Sequence, residues 1–409
     1  MRGKIGHFEK NIILVFLATS LANVFNLVYQ LLIAHRLSPI DFAAFNSLLA
    51  VFVMVASPLG TLQMAVAKYT AEYNAHHQPA KIKALVSGLL RKVSLPALIS
   101  LPVFYFIALG LIGKADYLTG YSVNILLALI LLAWITPVLL GGVQGLESFK
   151  WLTAGSVISG LIKIILAFIF IKLGLNIAGA LNAFLLSSVA AIIFFSVPLR
   201  NFISFKKPEE RINFQEVMLY LWPVAVSTFC FMALVNYDML LVKFFFSPAE
   251  AGIYSLAQMV GKIFLFLPAA ISVVLFPRIS GLYAKNEDTH NALKRSLLYA
   301  SGLCIIALII YNTFPVFILK LLTGKAFSES ILLGRLFSIS MSFFALFYVL
   351  ITYFLSKGDL RFIKYLVIST ALEFLAIIFL HNSLEQVQII ICLNAIFIFL
   401  IGLKLLKKK

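Results

Sequence analysis

The chain has 409 residues, of which 62% are apolar and only 12% are charged. Soluble domains are about 45–50% apolar and about 25% charged, and the mean hydropathy of this chain is +1.02. This composition excludes a soluble globular enzyme, a disordered chain and a nucleic-acid-binding domain. Lys and Arg number 33 against 16 Asp and Glu, a net charge of +17, so the positions of the basic residues decide what the excess means.

Twelve stretches are apolar over the length of about 20 residues that a membrane-spanning helix needs. They are residues 11–34, 42–67, 93–112, 122–145, 152–173, 177–198, 217–242, 251–276, 296–320, 331–355, 363–381 and 387–405. Helices are expected because a spanning segment must satisfy its own backbone hydrogen bonds, and the sequence lacks the short alternating strands of a barrel. We therefore predict an all-α polytopic membrane protein with 12 transmembrane helices, the first of them retained.

The basic residues follow the positive-inside rule when the N-terminus is placed in the cytoplasm. Of the 33 basic residues, 24 then lie in cytoplasmic segments and 6 in outer loops. Three remain within spans, namely Lys163, Lys262 and Arg335. This distribution predicts a multi-pass protein of the plasma (inner) membrane with both termini in the cytoplasm.

An internal repeat is visible at an offset of about 209 residues. Residues 31–45 resemble residues 240–254, with Ser38-Pro39 matching Ser247-Pro248 and an acidic residue two positions later in both. Each half holds six predicted spans, an even number, so the halves enter the membrane from the same side and form parallel repeats. The repeat therefore predicts duplication of a six-helix unit.

The predicted domains follow from this duplication. An N-terminal six-helix bundle covers residues 1–198, a polar cytoplasmic linker covers 199–216, and a C-terminal six-helix bundle covers 217–409. In parallel repeats of this kind the substrate path lies between the halves, and one half rocks against the other to give alternating access.

Span 1 carries a polar stripe formed by Thr19, Asn23, Asn26 and Gln30. The spacings of four, three and four residues place all four side chains on one helical face. Polar side chains in membranes often hydrogen-bond between helices, but four in one stripe favour a wet surface that lines a cavity. We therefore predict Asn23, Asn26 and Gln30 as substrate-binding residues.

Three further spans carry polar residues and a cation at the spacing i, i+3, i+7. They are Ser255, Gln258 and Lys262 in span 8, Ser156, Ser159 and Lys163 in span 5, and Arg335, Ser338 and Ser342 in span 10. A Lys at mid-membrane costs about 2.5–3.5 kcal/mol on insertion scales, so it normally pairs or faces water. We predict Lys163, Lys262, Gln258 and Arg335 as substrate-binding residues, although an interfacial anchor explains Arg335 equally well.

Two acidic residues lie within spans, Asp238 in span 7 and Glu373 in span 11. One interpretation is a structural ion pair, such as Lys163 with Glu373. Another is coupling to protons or sodium through the carboxylates, and a third is anion binding by cations that stay unpaired. The residues alone leave these three open, and Asp238 and Glu373 are the coupling candidates.

The remaining chemistry-bearing residue types show no site. The six His residues have no metal-ligand spacing, and no phosphate-binding loop or hydrolase motif is found. The three Cys residues lie in spans, where they pack as small apolar side chains. We expect no catalytic residue, no metal and no cofactor.

Several motifs together resemble a known family. The stretch L-S-P-I-D-F-A-A-F after span 1 is similar to the L-G-P-x-[DE]-[FY]-G-x-[FY] pattern of the polysaccharide flippases, although Ala43-Ala44 stands where that family favours a Gly. Further matching positions are Gln144-Gly145, Phe149, Lys150, Pro223, Asn236-x-Asp238, Phe246 to Tyr254 and Phe276-Pro277. These flippases belong to the multidrug/oligosaccharidyl-lipid/polysaccharide exporter superfamily.

The resemblance implies a MATE-like fold and an alternating-access flippase. Such a protein moves polyprenyl-pyrophosphate-linked oligosaccharide from the inner to the outer leaflet for surface polysaccharide biosynthesis, with spans 1, 2, 7 and 8 lining the cavity. The implied partners are the lipid-linked oligosaccharide, membrane lipids and a glycan polymerase or other biosynthesis proteins, with no nucleic acid. We expect a monomer.

Two alternatives are weaker. A cation-coupled multidrug exporter of the same fold would want a carboxylate in the N-terminal half, and spans 1–6 have no Asp or Glu at mid-membrane. A membrane-embedded sugar polymerase or ligase would need a large outer loop, whereas every predicted outer loop is short. We therefore expect that the protein is not an enzyme.

Overall fold

The computed structural model describes residues 7–112, 120–204, 214–266 and 287–407, together with six residues between 267 and 286. The described part of the chain is helical, without a strand. Its helices are α1 (His7–Arg36), α2 (Pro39–Ala75), α3 (Pro79–Ile112), α4 (Gly120–Gly145), α5 (Phe149–Lys172), α6 (Asn176–Leu199), α7 (Phe214–Leu234), α8 (Tyr237–Phe245), α9 (Pro248–Phe266), α10 (His290–Thr313), α11 (Pro315–Thr323), α12 (Ser328–Ser356), α13 (Arg361–Phe379) and α14 (Leu384–Lys407).

The protein is a multi-pass membrane protein. Nine of the described helices are long and apolar enough to cross a membrane, and α7 with α8 forms a tenth span if the bent pair is counted as one. This confirms the all-α polytopic architecture. The total of 12 spans and the arrangement in two repeats stay predictions.

Predicted span 7 is not one continuous helix. The chain leaves helical geometry at Asn236, whose φ and ψ are −139° and −29°, and the two segments Leu221–Leu234 and Tyr237–Phe245 are bent by 41°. The Asn236 side chain donates to the Met232 carbonyl at 2.8 Å, which satisfies one backbone acceptor near the break. The predicted span over 217–242 therefore consists of two helices, and Asp238 lies in the first turn of the second.

Predicted span 9 is also divided. Helix α10 ends at Thr313, and Pro315 stands at the start of α11. Proline has no N–H and its ring clashes with the preceding turn, but at the first helical position neither matters. Because proline is favoured at the first position of a helix and disfavoured in its interior, a new helix starts at Pro315. In contrast, Pro58, Pro137 and Pro223 lie inside continuous helices.

The chain forms two compact units. The first consists of Met1–Leu37 and Val51–Ala225, and the second of Ser38–Ala50 and Val226–Lys409. The predicted domain boundaries at 198 and 217 stay predictions.

In the first unit, α5 packs between α1 and α6, and α4 packs against α3 and α6. Small residues allow this close approach, because a Cβ on Gly160 would lie 2.5 Å from the Phe25 ring, and one on Gly155 would lie 2.4 Å from the Phe195 ring. The glycines of α5 thus fix the positions of α1 and α6 around its one charged residue at mid-helix.

In the second unit, α12 is the central helix. It packs against α9, α10 and α14, and α13 packs against α14. Its buried residues include large side chains such as Phe337, Phe344 and Phe347. A helix that is apolar on most sides is buried in the interior of a bundle. Helix α12 therefore positions α9 and α14, which carry polar residues of this unit.

The two copies of the predicted repeat share one local structure. Ser38 Oγ donates to Asp41 and accepts from its backbone N–H before α2. Ser247 makes the same two bonds with Glu250 before α9, and its own N–H also donates to the Glu250 carboxylate. Both are side-chain caps of a helix N-terminus, so the matching sequence positions form matching structures.

Candidate functional site

Lys163 is the centre of a cluster in the first unit. It lies in α5 and is only 9% exposed. Its Nζ donates to Oδ1 of Asn26 on α1, and it lies 5.0 Å from the ring centroid of Tyr29 and 5.1 Å from that of Phe184. The Tyr29 hydroxyl donates to the Ala180 carbonyl at 2.8 Å, which holds the ring in place. One amide and two aromatic faces thus surround the cation.

The polar stripe of α1 reaches the surface. Asn23 and Asn26 are exposed and Gln30 is half-buried. The side chain of Thr19, the fourth member of the stripe, lies outside the part of the structure that is described. Asn26 therefore links the buried Lys163, from which it accepts a hydrogen bond, to the exposed surface of α1. In contrast, Ser156 and Ser159 of the α5 pattern donate to carbonyls of their own helix, so the pattern partners of Lys163 take no part in the cluster.

Asp238 is the centre of a second cluster, in the second unit. Its side chain is fully buried. It accepts from the Tyr254 hydroxyl at 2.9 Å and from Gln258 Nε2 at 3.0 Å, both on α9. Lys262, half-buried one turn beyond Gln258, is near enough for its charge to act on Asp238.

Glu373 on α13 has a closely similar environment. Its side chain is 1% exposed, and it accepts from the Tyr237 hydroxyl at 2.9 Å and from Nδ2 of Asn394 at 2.5 Å. Ser369 donates to Oδ1 of Asn394 at 2.6 Å. Each buried carboxyl is therefore held by one tyrosine and one carboxamide, and the two sites are joined through the consecutive residues Tyr237 and Asp238.

The hydrogen bonds continue to α12 and α14. Gln388 Oε1 lies 3.3 Å from the Tyr254 hydroxyl, and its Nε2 donates to Ser340 at 2.8 Å. We call the carboxyl network the set of residues that these bonds connect, listed here once as Tyr237, Asp238, Tyr254, Gln258, Ser340, Ser369, Glu373, Gln388 and Asn394. The Asp359–Arg361 ion pair lies at the N-terminus of α13, outside this network. The hydrogen bonds described above all come from neutral donors.

The structure brings some predicted residues together and leaves others apart. Lys163 joins Asn26, and Gln258 joins Asp238. Arg335 is exposed on α12, while Ser338 and Ser342 are buried and donate to their own helix. Lys163 and Glu373 each form their hydrogen bonds with residues of their own unit. These bonds differ from the Lys163–Glu373 ion pair that was one interpretation of the sequence.

Sequence reasoning missed most members of the carboxyl network. The sequence analysis assigned no functional role to Tyr254, Gln388 or Asn394. The two carboxamides nevertheless stand out in the very apolar stretch 387–405. A buried polar group in a membrane requires a partner, so Gln388 and Asn394 indicated that another polar residue would face α14.

The chain is similar to known proteins in sequence and in fold. The sequence pattern of the family described as polysaccharide biosynthesis protein matches residues 8–283. No curated protein matches the chain significantly.

Solved structures share the fold at low sequence identity. An inward-facing multidrug resistance MATE family transporter of the MOP superfamily has a TM-score of 0.72 at 15% identity, over 94% of both chains. Its outward-facing counterpart has a TM-score of 0.65 at 15% identity, over 97% of this chain and 95% of the other. The lipid II flippase MurJ, in an inward closed conformation, has a TM-score of 0.70 at 16% identity, over 97% of this chain and 88% of the other.

These relatives are transport proteins, in agreement with the prediction that the chain is not an enzyme. The MATE-like fold is confirmed, and the match over residues 8–283 covers well over half of the sequence. The chain belongs to the polysaccharide biosynthesis protein family.

Proposed function

We propose that this protein is an alternating-access flippase that moves polyprenyl-pyrophosphate-linked oligosaccharide from the inner to the outer leaflet. The observation that carries the proposal is the Lys163 cluster, in which a buried cation is held by an exposed residue of a polar stripe. The family match supports a role in polysaccharide biosynthesis, and the shared fold with MurJ and MATE transporters supports transport.

The chemistry of the Lys163 cluster suits an anionic, sugar-bearing lipid. An ammonium group binds diphosphate as a compact point charge, and Asn26, which accepts from Lys163, can rotate away when phosphate oxygens replace it. Asn23 and Gln30 then offer amide donors and acceptors to sugar hydroxyls. The polyprenyl chain stays in the bilayer, where its burial costs nothing.

Lys262 is the cation of the second unit in this proposal. It follows Gln258 by one turn of α9, and its charge acts on Asp238. When a diphosphate approaches Lys262, it competes with Asp238 for the same positive charge. Substrate binding and the state of the carboxyl network are thereby linked through one side chain. Arg335, which is exposed, serves as an anchor at the membrane interface or as an additional contact for the headgroup.

The coupling ion of the proposed cycle binds at the carboxyl network. A buried carboxylate is costly unless a positive charge or a proton compensates it. Glu373 receives only neutral donors among the residues described, so it is the position where a proton or a cation would bind. The proposal therefore includes a flippase driven by an ion gradient, with Glu373 and Asp238 as the coupling residues.

The proposed mechanism uses the predicted topology. Twelve spans in two parallel six-helix bundles would expose the site alternately to the two leaflets. The basic residues would place the linker at 199–216 and both termini in the cytoplasm of the inner membrane. We propose a monomer that works with a glycan polymerase or other biosynthesis proteins.

A gene deletion tests the proposal against the exporter alternative. We expect polyprenyl-linked glycan to accumulate on the inner leaflet and surface glycan to decrease in the deletion strain. Normal surface glycan together with a loss of dye efflux would instead establish a multidrug exporter. Complementation with the unchanged gene controls for effects on neighbouring genes.

A further inference from the structure

A groove in the second unit has the chemistry of a lipid site. It lies between α10 and α14, both of which pack on α12, and its volume is about 530 Å³. This is within the range of about 300–1,000 Å³ that is usual for ligand pockets. The residues used below line it together: His290, Lys294, Leu297, Leu400, Leu403 and Lys404.

The two helices present the same arrangement from opposite directions. On α10, Lys294 lies near the start of the helix and Leu297 follows by about one turn. On α14, Lys404 lies near the end, and Leu400 precedes it by about one turn. Residues three and four apart share a helical face, so each helix places a cation at the rim and a leucine deeper in the same groove.

The rim of the groove is positively charged. Lys294, Lys404 and His290 are all exposed. The nearest acidic residue along the chain, Asp288, accepts from the backbone N–H of His290 and from Asn291, so its charge caps the helix end. Two ammonium groups therefore face an open site, where an anionic headgroup would complement them.

The floor of the groove is apolar and open to the bilayer. Leu400, which lines the groove, is 56% exposed. The lining residues include no carboxamide or hydroxyl, in contrast to the α1 stripe with its Asn and Gln side chains. A ligand with a charged head and hydrocarbon chains fits this lining, whereas a glycan would find few hydrogen-bond partners.

We propose that the groove binds a two-chain anionic phospholipid of the inner leaflet. Lys294 and Lys404 contact the headgroup phosphate, and the leucines contact the upper part of an acyl chain. Basic pockets between transmembrane helices on the cytoplasmic side bind anionic lipid headgroups in general. The site lies entirely within one unit and does not depend on the transported substrate.

Native mass spectrometry of the purified full-length protein tests this site. The probes are dioleoyl phosphatidylglycerol and dioleoyl phosphatidylcholine, which share acyl chains and differ in charge. Each Lys near an anionic surface contributes about 1 kcal/mol, so losing one weakens binding about fivefold and losing both about thirtyfold. We expect the double variant Lys294→Gln/Lys404→Gln to lose the preference for phosphatidylglycerol, and Lys294→Arg/Lys404→Arg to retain it.

A matched control is Arg295→Gln, because Arg295 is exposed beside Lys294 on α10 but does not line the groove. It should leave the preference unchanged. An unchanged preference in the Lys294→Gln/Lys404→Gln protein would overturn the proposal, as would equal loss in Arg295→Gln. Full displacement of the lipid by inorganic phosphate would show a simple anion site, and preference for polyprenyl phosphate over phosphatidylglycerol would assign the groove to the substrate instead. All side chains changed are exposed, and a monodisperse elution profile confirms that each variant is folded.

Discussion

Lys163 on α5 donates a hydrogen bond to Asn26 on α1, across 137 positions of sequence. The bond joins a buried charge to an exposed amide. In the proposed mechanism a ligand reaches this cation by displacing the Asn26 side chain. The remaining contacts of Lys163 are with the faces of Tyr29 and Phe184, which attract a cation without neutralising it.

Replacing Lys163 should weaken substrate binding strongly, with little effect on folding. Hydrogen bonds to charged groups contribute about 1.5–3 kcal/mol, which corresponds to a tenfold to hundredfold loss of affinity. We expect Lys163→Met to lower the flipping rate at least tenfold, measured in liposomes by the access of an impermeant glycosidase to a lipid-linked oligosaccharide. Lys163→Arg, which keeps the charge, should retain part of the rate. Unchanged flipping in Lys163→Met would contradict the proposed role.

Lys262→Ala should also abolish transport while the protein still folds. The side chain is half-buried, so its truncation opens no large cavity, but the substrate loses a cation and Asp238 loses a nearby positive charge. Flipping is measured as above, and thermal unfolding measures stability. Lys320→Ala on α11 is a suitable control, because that lysine is exposed and belongs to neither cluster. If Lys262→Ala transports normally, the lysine has no part in anion binding.

Glu373→Gln should uncouple transport and preserve the fold. Glutamine keeps an acceptor for Tyr237 but carries no charge, so an ion gradient can no longer act on this position. The expected result is flipping that does not respond to an imposed proton or sodium gradient, compared with a clear response of the unchanged protein. A full gradient response in Glu373→Gln would assign coupling to another group.

Glu373→Ala provides the structural comparison. It removes the acceptor of the half-buried Asn394 and leaves the buried Tyr237 hydroxyl only its longer bond to the Thr370 carbonyl, at 3.3 Å. An unsatisfied buried group costs about 1–3 kcal/mol. We expect a clear fall in Tm for Glu373→Ala and a small one for Glu373→Gln. Equal stability of the two variants would mean that the hydrogen bonds to Glu373 contribute little to the second unit.

The two helix caps should contribute similar stability. Ser247→Ala removes the side-chain acceptor for the Glu250 N–H, and Ser38→Ala removes the equivalent one for Asp41. Loss of such a cap costs about 1 kcal/mol. Thermal unfolding of both variants should therefore show similar decreases in Tm, with Ser94→Ala, whose hydroxyl bonds within a helix interior, as the control. A decrease confined to one copy would mean that the repeat has diverged in its energetics.

The ion pair of Asp359 and Arg361, at the N-terminus of α13, should make a small pH-dependent contribution to stability. Hydrogen bonds from Arg361 hold the pKa of Asp359 below its usual range. Because the folded-state pKa is depressed, the contribution is present above the unfolded pKa of about 3.9 and is lost as the pH falls through the folded pKa. Asp359→Asn should therefore lower Tm slightly at pH 7, and the difference should shrink as the pH falls below about 3.9. A difference in Tm that does not change with pH would show that another interaction of this side chain stabilises the protein.

Hydropathy was sufficient to predict where helices form, because the bilayer demands long apolar segments whatever their neighbours are. It could not show the break at Asn236, where neither Gly nor Pro marks the end of α7. The sequence also could not identify Asn394 as a partner of Glu373. The two residues lie on different helices, and their contact depends on how α13 and α14 pack. The polar stripe of α1 was predictable because a period of 3.6 places Asn26 on a defined face of that helix. The sequence did not identify α5 as the helix that faces it.

The carboxyl network also constrains how this protein is made. Glu373 obtains one of its two donors from Asn394, and Tyr254 contacts Gln388, and both carboxamides lie on α14. During synthesis α8, α9 and α13 are made before α14, so the Glu373 carboxyl lacks its Asn394 donor until α14 (Leu384–Lys407) has followed. The second unit therefore completes its polar interior only when α14 packs against α12 and α13.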